Sequence, residues 1–182
     1  MTDFPPDFCP YCGAELRGDG PRYRCPDCER GVYHSPAVAA AVAVVDSTGD
    51  SPRVLLGERG VVPAEGRFST PGGHVDFGEE PRTTAPRELA EETGLRVDPD
   101  DLRLLAARDL ETVVAEPGLT DAKQVICVDY AVELGDTDGE PSADDDLAGL
   151  RWASESEFDE TEWAYTDDAA ICRAAFAAVD QV

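Results

Sequence analysis

The chain has 182 residues and sets 39 acidic side chains against 15 Lys and Arg, a formal charge of −24. That length supports one core with a small appendage, and so negative a surface repels phosphate backbones and anionic lipid, which disfavours nucleic acid and membranes as partners. The acids are spread along the chain and Lys123 is the only lysine, a composition that points to a halophilic protein working where salt screens self-repulsion. No apolar run approaches a membrane span and the opening "MTDFPPDFCPYC" lacks a basic-then-apolar leader, so a cytoplasmic location is expected.

In chain order, the first element is "CPYCGAELRGDGPRYRCPDCERG", which holds two C-x-x-C pairs, Cys9/Cys12 and Cys25/Cys28. Each pair can aim two thiolates at one tetrahedral ion, so the spacing predicts a compact zinc ribbon over residues 1–34. Disulfides are the alternative, and a reducing compartment disfavours them. So small a segment has little core, and a bound zinc would contribute about 10 kcal/mol or more to its folding. Cys127 and Cys172 sit alone in apolar stretches and read as small buried hydrophobes.

From residue 35 to 182 the composition becomes that of a mixed α/β domain. Ala37 to Val45 reads as a buried strand, "STGDSP" as a turn and Arg53 to Arg59 as the hairpin partner. A helix follows in "PRELAEETG", with Gly94 placed to close it in a left-handed conformation. Pro86 sets its start, because a proline inside a helix costs about 3 kcal/mol. The expectation is a late start with Thr83 as cap, or a local distortion at Pro86. Further strands are expected at Leu102 to Val114, Gln124 to Leu134 and Leu150 to Ala153, with "GDTDGEPSADDD" as a solvated loop. A closing helix from about Asp167 to Val179, capped by Thr166, presents Ala170, Ile171, Ala174 and Ala178 at helical spacing.

The central helix carries the chemistry. Glu88, Glu91 and Glu92 are spaced i, i+3, i+4, so three like charges share one side at a cost of a few tenths of a kcal/mol per pair. A divalent cation turns that cost into an advantage, since magnesium and manganese combine carboxylates with water and phosphate oxygens. The Gly72–Gly73 pair in "TPGGHVDFGEE" lets a backbone carbonyl approach the same ion.

The stretch fits the pattern Gly-x5-Glu-x7-Arg-Glu-U-x-Glu-Glu-x-Gly-U with U apolar, filled by Gly73, Glu79, Arg87, Glu88, Leu89, Glu91, Glu92, Gly94 and Leu95. It resembles the signature box of the Nudix hydrolases at every fixed position. The resemblance implies an α/β/α sandwich with a mixed sheet and a metal-dependent hydrolase that cleaves a nucleoside diphosphate derivative by water attack at phosphorus. It implies Mg2+ or Mn2+ on Glu91 and Glu92, with Glu88 binding metal or orienting the water, and the carbonyl of Gly72 or Gly73 completing the shell. Glu79 would pair with Arg87 and brace the loop. His74 falls at a variable position and reads as a loop residue. The general base is left open among Glu88, Glu111, Glu116 and Asp121.

A zinc ribbon ahead of such a domain is similar to the arrangement in NADH pyrophosphatases. That group carries a proline- and tryptophan-containing motif after the box, which "LRLLAARDLETVVAEPGLTDAKQV" lacks, so NAD(H) specificity is not supported. Trp152, Trp163, Tyr165 and Phe158 read as core aromatics or as a platform for a base. The alternatives to an enzyme are a nucleotide sensor on a silent Nudix domain and an adaptor centred on the ribbon. The ribbon could also steady the domain, cover the pocket or form a homodimer contact.

Overall fold

The computed structural model describes residues 6–18, 20–110 and 124–180, with the backbone alone at 113–114 and 122–123. At the N-terminus, strands β1 (Arg22–Arg24) and β2 (Gly31–Tyr33) form an antiparallel hairpin whose turn holds Cys25 and Cys28. Tyr23 and Val32 are opposite one another in the register and buried with Leu16, Cys9 and Cys25 in a minimal core.

The larger unit is built on β3 (Ala37–Asp46) and β4 (Arg53–Arg59). They pair directly only at Val45–Val54 and Asp46–Arg53. Beyond that point they diverge, and β5 (Phe68–Ser69) joins β4 while β6 (Gly72–His74) pairs with Ala39–Ala41 of β3. After helix α1 (Pro81–Thr93) come β7 (Arg96–Val97), β8 (Arg103–Asp109), β9 (Val113–Val114), β10 (Ala122–Lys123) and β11 (Val125–Glu133). The last elements are β12 (Thr137–Asp138), β13 (Leu147–Ser154) and α2 (Asp168–Val179). The main sheet runs β13-β4-β3-β11-β8, with β3 and β11 parallel and its other pairs antiparallel, so it is mixed.

Helices on both faces explain why β3 is a continuous apolar run. Its even residues Ala40, Val42 and Val44 pack with Ala85 and Leu89 of α1, while Ala43 and Val45 pack with Cys172 and Ala175 of α2. Both lone cysteines are buried. The α2 layer stops short, and the odd residues Ala39 and Ala41 face an open cleft beside Val125 and Cys127.

Four local expectations need correction. Helix α1 starts at Pro81, not at a Thr83 cap, so Pro86 lies inside it. The early start holds because Pro81 tolerates the first helical position and the Thr83 hydroxyl accepts from the Glu80 N–H at 3.3 Å. The segment read as a solvated loop contains β12 and is anchored on α1, with Ser142 N donating to Thr93 O at 2.9 Å and Asp144 N to Glu92 O at 3.0 Å. Backbone bonds to carbonyls at the helix end leave no side-chain periodicity to read. Asp167, not Thr166, precedes α2, and its buried face is Asp168, Ile171, Cys172, Ala175 and Val179, with Ala170 and Ala174 exposed. Finally, His74 is the last residue of β6 and not a loop residue.

Candidate functional site

The candidate site is assembled where β6 brings its glycines against α1. Glu92 lies on the core-facing side of α1, only 4% exposed, and its Oε2 accepts from Gly72 N at 2.8 Å. Glu88, one turn earlier, packs its carboxylate on Gly73, where a Cβ would collide with it; at Gly72 a Cβ would come within 2.6 Å of Ala41. Glycine is therefore a steric requirement at Gly72, where a Cβ would meet the β3 backbone, while at Gly73 it would meet only the end of the Glu88 side chain. Glu91 is exposed.

A single guanidinium organises the surrounding acids. Arg87 Nε donates to Glu79 Oε1 at 3.1 Å and Nη2 to Glu79 Oε2 at 3.0 Å, while Nη1 donates to Glu88 at 2.9 Å and Glu91 at 3.0 Å. Those bonds, with the Thr84 hydroxyl, draw the Glu79 carboxyl down to about 2. Burial acts the opposite way on the others: it raises Glu88 above the ordinary carboxylate range and lifts Glu92 to about 8, the neighbouring Glu88 charge adding to the lift. A buried carboxyl in that state gains from a cation that replaces its proton.

The sequence reading missed acids on the far side of this cluster. Asp146 and Arg59 lie in the same cavity as Glu92 and act on its charge, and Asp145 acts on Glu88. The signal was the run Asp144–Asp145–Asp146 directly before β13, read as solvated loop. Glu111, Glu116 and Asp121 lie outside the described residues.

From Gly72 and Glu92 the cavity, about 210 Å³, continues over the uncovered part of the sheet to a buried ion-pair cluster. Arg108 Nε and Nη2 donate to Asp129 at 2.9 and 3.3 Å, and Nη2 donates to Asp168 at 2.7 Å. Asp168 also accepts from Tyr165 N at 3.0 Å, and burial lifts its carboxyl to about 6 despite the arginine. Tyr165 is the one aromatic of the four considered that reaches the cavity. Phe158 is buried between Trp163 and Phe176, and Trp152 packs on the α1-side core.

Among the described residues, the set of three or more Cys, His, Asp or Glu whose ligand atoms all lie within 4.8 Å of one another is Cys9, Cys12, Cys25 and Cys28. Cys9–Cys28 and Cys12–Cys25 Sγ separations are 3.7 and 3.5 Å, close to the about 3.8 Å edge of a tetrahedron with Zn–S bonds of about 2.3 Å. The Cys28 N–H helps draw the Cys25 thiol down to about 6, toward the thiolate a metal needs.

The candidate site is thus a strand-flanked helix of glutamates set against a glycine pair, on a mixed sheet between helices. The chain belongs to the Nudix family: the family model described as NUDIX domain matches residues 35–174. It is 40% identical over 93 residues to the NAD-capped RNA hydrolase NudC of Deinococcus radiodurans, covering 50% of this chain and 32% of that protein. The chain thus spans about a third of the length of such relatives. It is 38% identical over 116 residues to the putative 8-oxo-dGTP diphosphatase 2 of Mycobacterium tuberculosis, covering 63% of this chain and 73% of that one. Among solved structures, the NUDIX hydrolase from Nitrosomonas europaea superposes with a TM-score of 0.63 at 23% identity, over 96% of this chain and 93% of that one, a likeness of fold.

Proposed function

We propose that the chain is a divalent-metal-dependent pyrophosphohydrolase that cleaves the diphosphate of a nucleoside derivative by water attack at phosphorus. The observation that carries this reading is the junction of Glu92, Glu88 and the Gly72–Gly73 backbone at one end of a cavity large enough to receive a planar group. Glu92, Glu91 and Glu88 would hold Mg2+ or Mn2+ with a carbonyl of Gly72 or Gly73, and the donor set fits, being hard oxygens with two carboxyls pushed up by burial. When bound, the ion supplies charge neutralisation on phosphate oxygens. Arg87 fixes the loop through Glu79 and holds Glu88 and Glu91 in place by ion pairs. Glu88, half-buried and high in pKa, is placed to take the proton of the attacking water as the new oxygen–phosphorus bond forms and the bridging one breaks.

Residues 1–34 are read as a structural zinc ribbon and 35–182 as the hydrolase domain. The names of the relatives suggest NAD-capped RNA and 8-oxo-dGTP as substrates to try. The test is incubation with magnesium and NADH, ADP-ribose, nucleoside triphosphates, 8-oxo-dGTP, dinucleoside polyphosphates and NAD-capped RNA, measuring released nucleoside monophosphate. Release that stops on chelation supports the reading; no release from any of them overturns it.

A further inference from the structure

We infer that Arg108 is the specificity-determining residue of the cavity and selects a neutral ring bearing a carbonyl, such as a lactam base, over one bearing an amino group at that position. The inference rests on the reading of the glutamate end as the diphosphate site. Sheet register sets the geometry. His74 pairs with Ala39, Ala39 with Cys127 and Cys127 with Arg108, one row crossing β6, β3, β11 and β8. Three inter-strand steps separate His74, at the end of β6 that packs on α1, from Arg108 by about 14 Å. The floor between them is Ala39, Ala41, Val125 and Cys127, small or slender side chains that leave room for a ring.

At the far end Arg108 offers what such a ring lacks, a fixed donor. Its Nε/Nη2 edge is committed to Asp129 and Asp168, and among the described residues Nη1 has no acceptor, although the side chain is only 11% exposed. The guanidinium cannot swing away, because two buried carboxylates hold it from different elements. One cation between two acids leaves the cluster net negative, which repels a phosphate, so Nη1 is left to donate to the oxygen of a neutral group. An amino group there sets N–H against N–H and leaves both unpaired.

The experiment is calorimetric binding of nucleoside 5′-monophosphates to the intact protein with magnesium. Two pairs differ mainly in carbonyl against amino, IMP with AMP and UMP with CMP. The carbonyl member is expected to bind tighter in each pair, on the order of tenfold. Arg108→Lys keeps a cation between Asp129 and Asp168 but loses the fork, so it should melt near the wild type while the ratio in each pair falls to about one. Arg108→Met adds a second variant without the charge. Equal binding within each pair, no binding of any of the four, or a ratio that survives in a folded Arg108→Lys protein overturns the inference. Carbonyl selection that depends on Arg108 in a protein that releases nothing from the substrate panel would overturn the hydrolase reading alone.

Discussion

At Glu92 the burial of one side chain bears directly on the metal binding proposed for it. Its carboxyl is lifted from 4.5 to about 8, first by burial, so below pH 8 a cation must displace a proton. Affinity for Mn2+ should therefore climb about tenfold per pH unit up to about pH 8 and level off above it. Titration calorimetry between pH 6 and 9 would show this, and Glu92→Gln should flatten the profile and lower turnover at least about 100-fold. The same shift bears on stability with a definite sign. The folded protein holds this proton more tightly than the unfolded chain, so the metal-free fold keeps the contribution below about pH 4.5 and loses it as pH rises through about 8. Melting in a chelator should fall between pH 6 and 9, with magnesium recovering most of the loss at pH 9; a melting point that rises instead would contradict the burial of this carboxyl.

At the scale of elements, α1 is continuous across Pro86, which has no N–H to give the Arg82 carbonyl. Pro86→Ala restores that donor at some cost in unfolded-chain entropy, and a net gain of about 1–2 kcal/mol in denaturant melts is expected. The ribbon is a separate case: its core is five buried side chains, so chelation or Cys25→Ser should expose residues 1–34 to proteolysis while the sheet's circular dichroism persists. Much of this was legible in the sequence, because β3 and β4 are apolar runs bounded by turn residues and the glutamates on α1 follow helical spacing. The placement of Arg108, Asp129 and Asp168 was not. Each lies on a different element, far from the others in sequence, and only the pairing of β8 with β11 and the packing of α2 bring them together. The α2 face was misread for a related reason: "DAAICRAAFAAV" is apolar on nearly every side, so its phase is set by Asp168 reaching Arg108, a contact from outside the helix.

For the whole molecule, a charge of −24 must be reconciled with the anionic substrate proposed above. The described ion pairs absorb only part of the acid excess, and Arg87, Arg53 and Arg108 are already engaged by carboxylates. Uncompensated acids then raise the energy of the compact state and slow the approach of a diphosphate. Both effects are Coulombic over distances up to about 10 Å, so salt should relieve both at once, as the Debye length falls from about 10 Å at 0.1 M to about 3 Å at 1 M. With magnesium held constant, raising KCl over that range should increase the melting temperature by several degrees and lower KM with kcat nearly unchanged. An ordinary acidic protein whose charges are locally balanced would show a flat melting curve and a KM that rises with salt, as ions compete for the phosphate site. The direction of the KM change is the sharper readout, because a general stabilising effect of salt on the fold raises the melting point but does not speed the encounter with an anion.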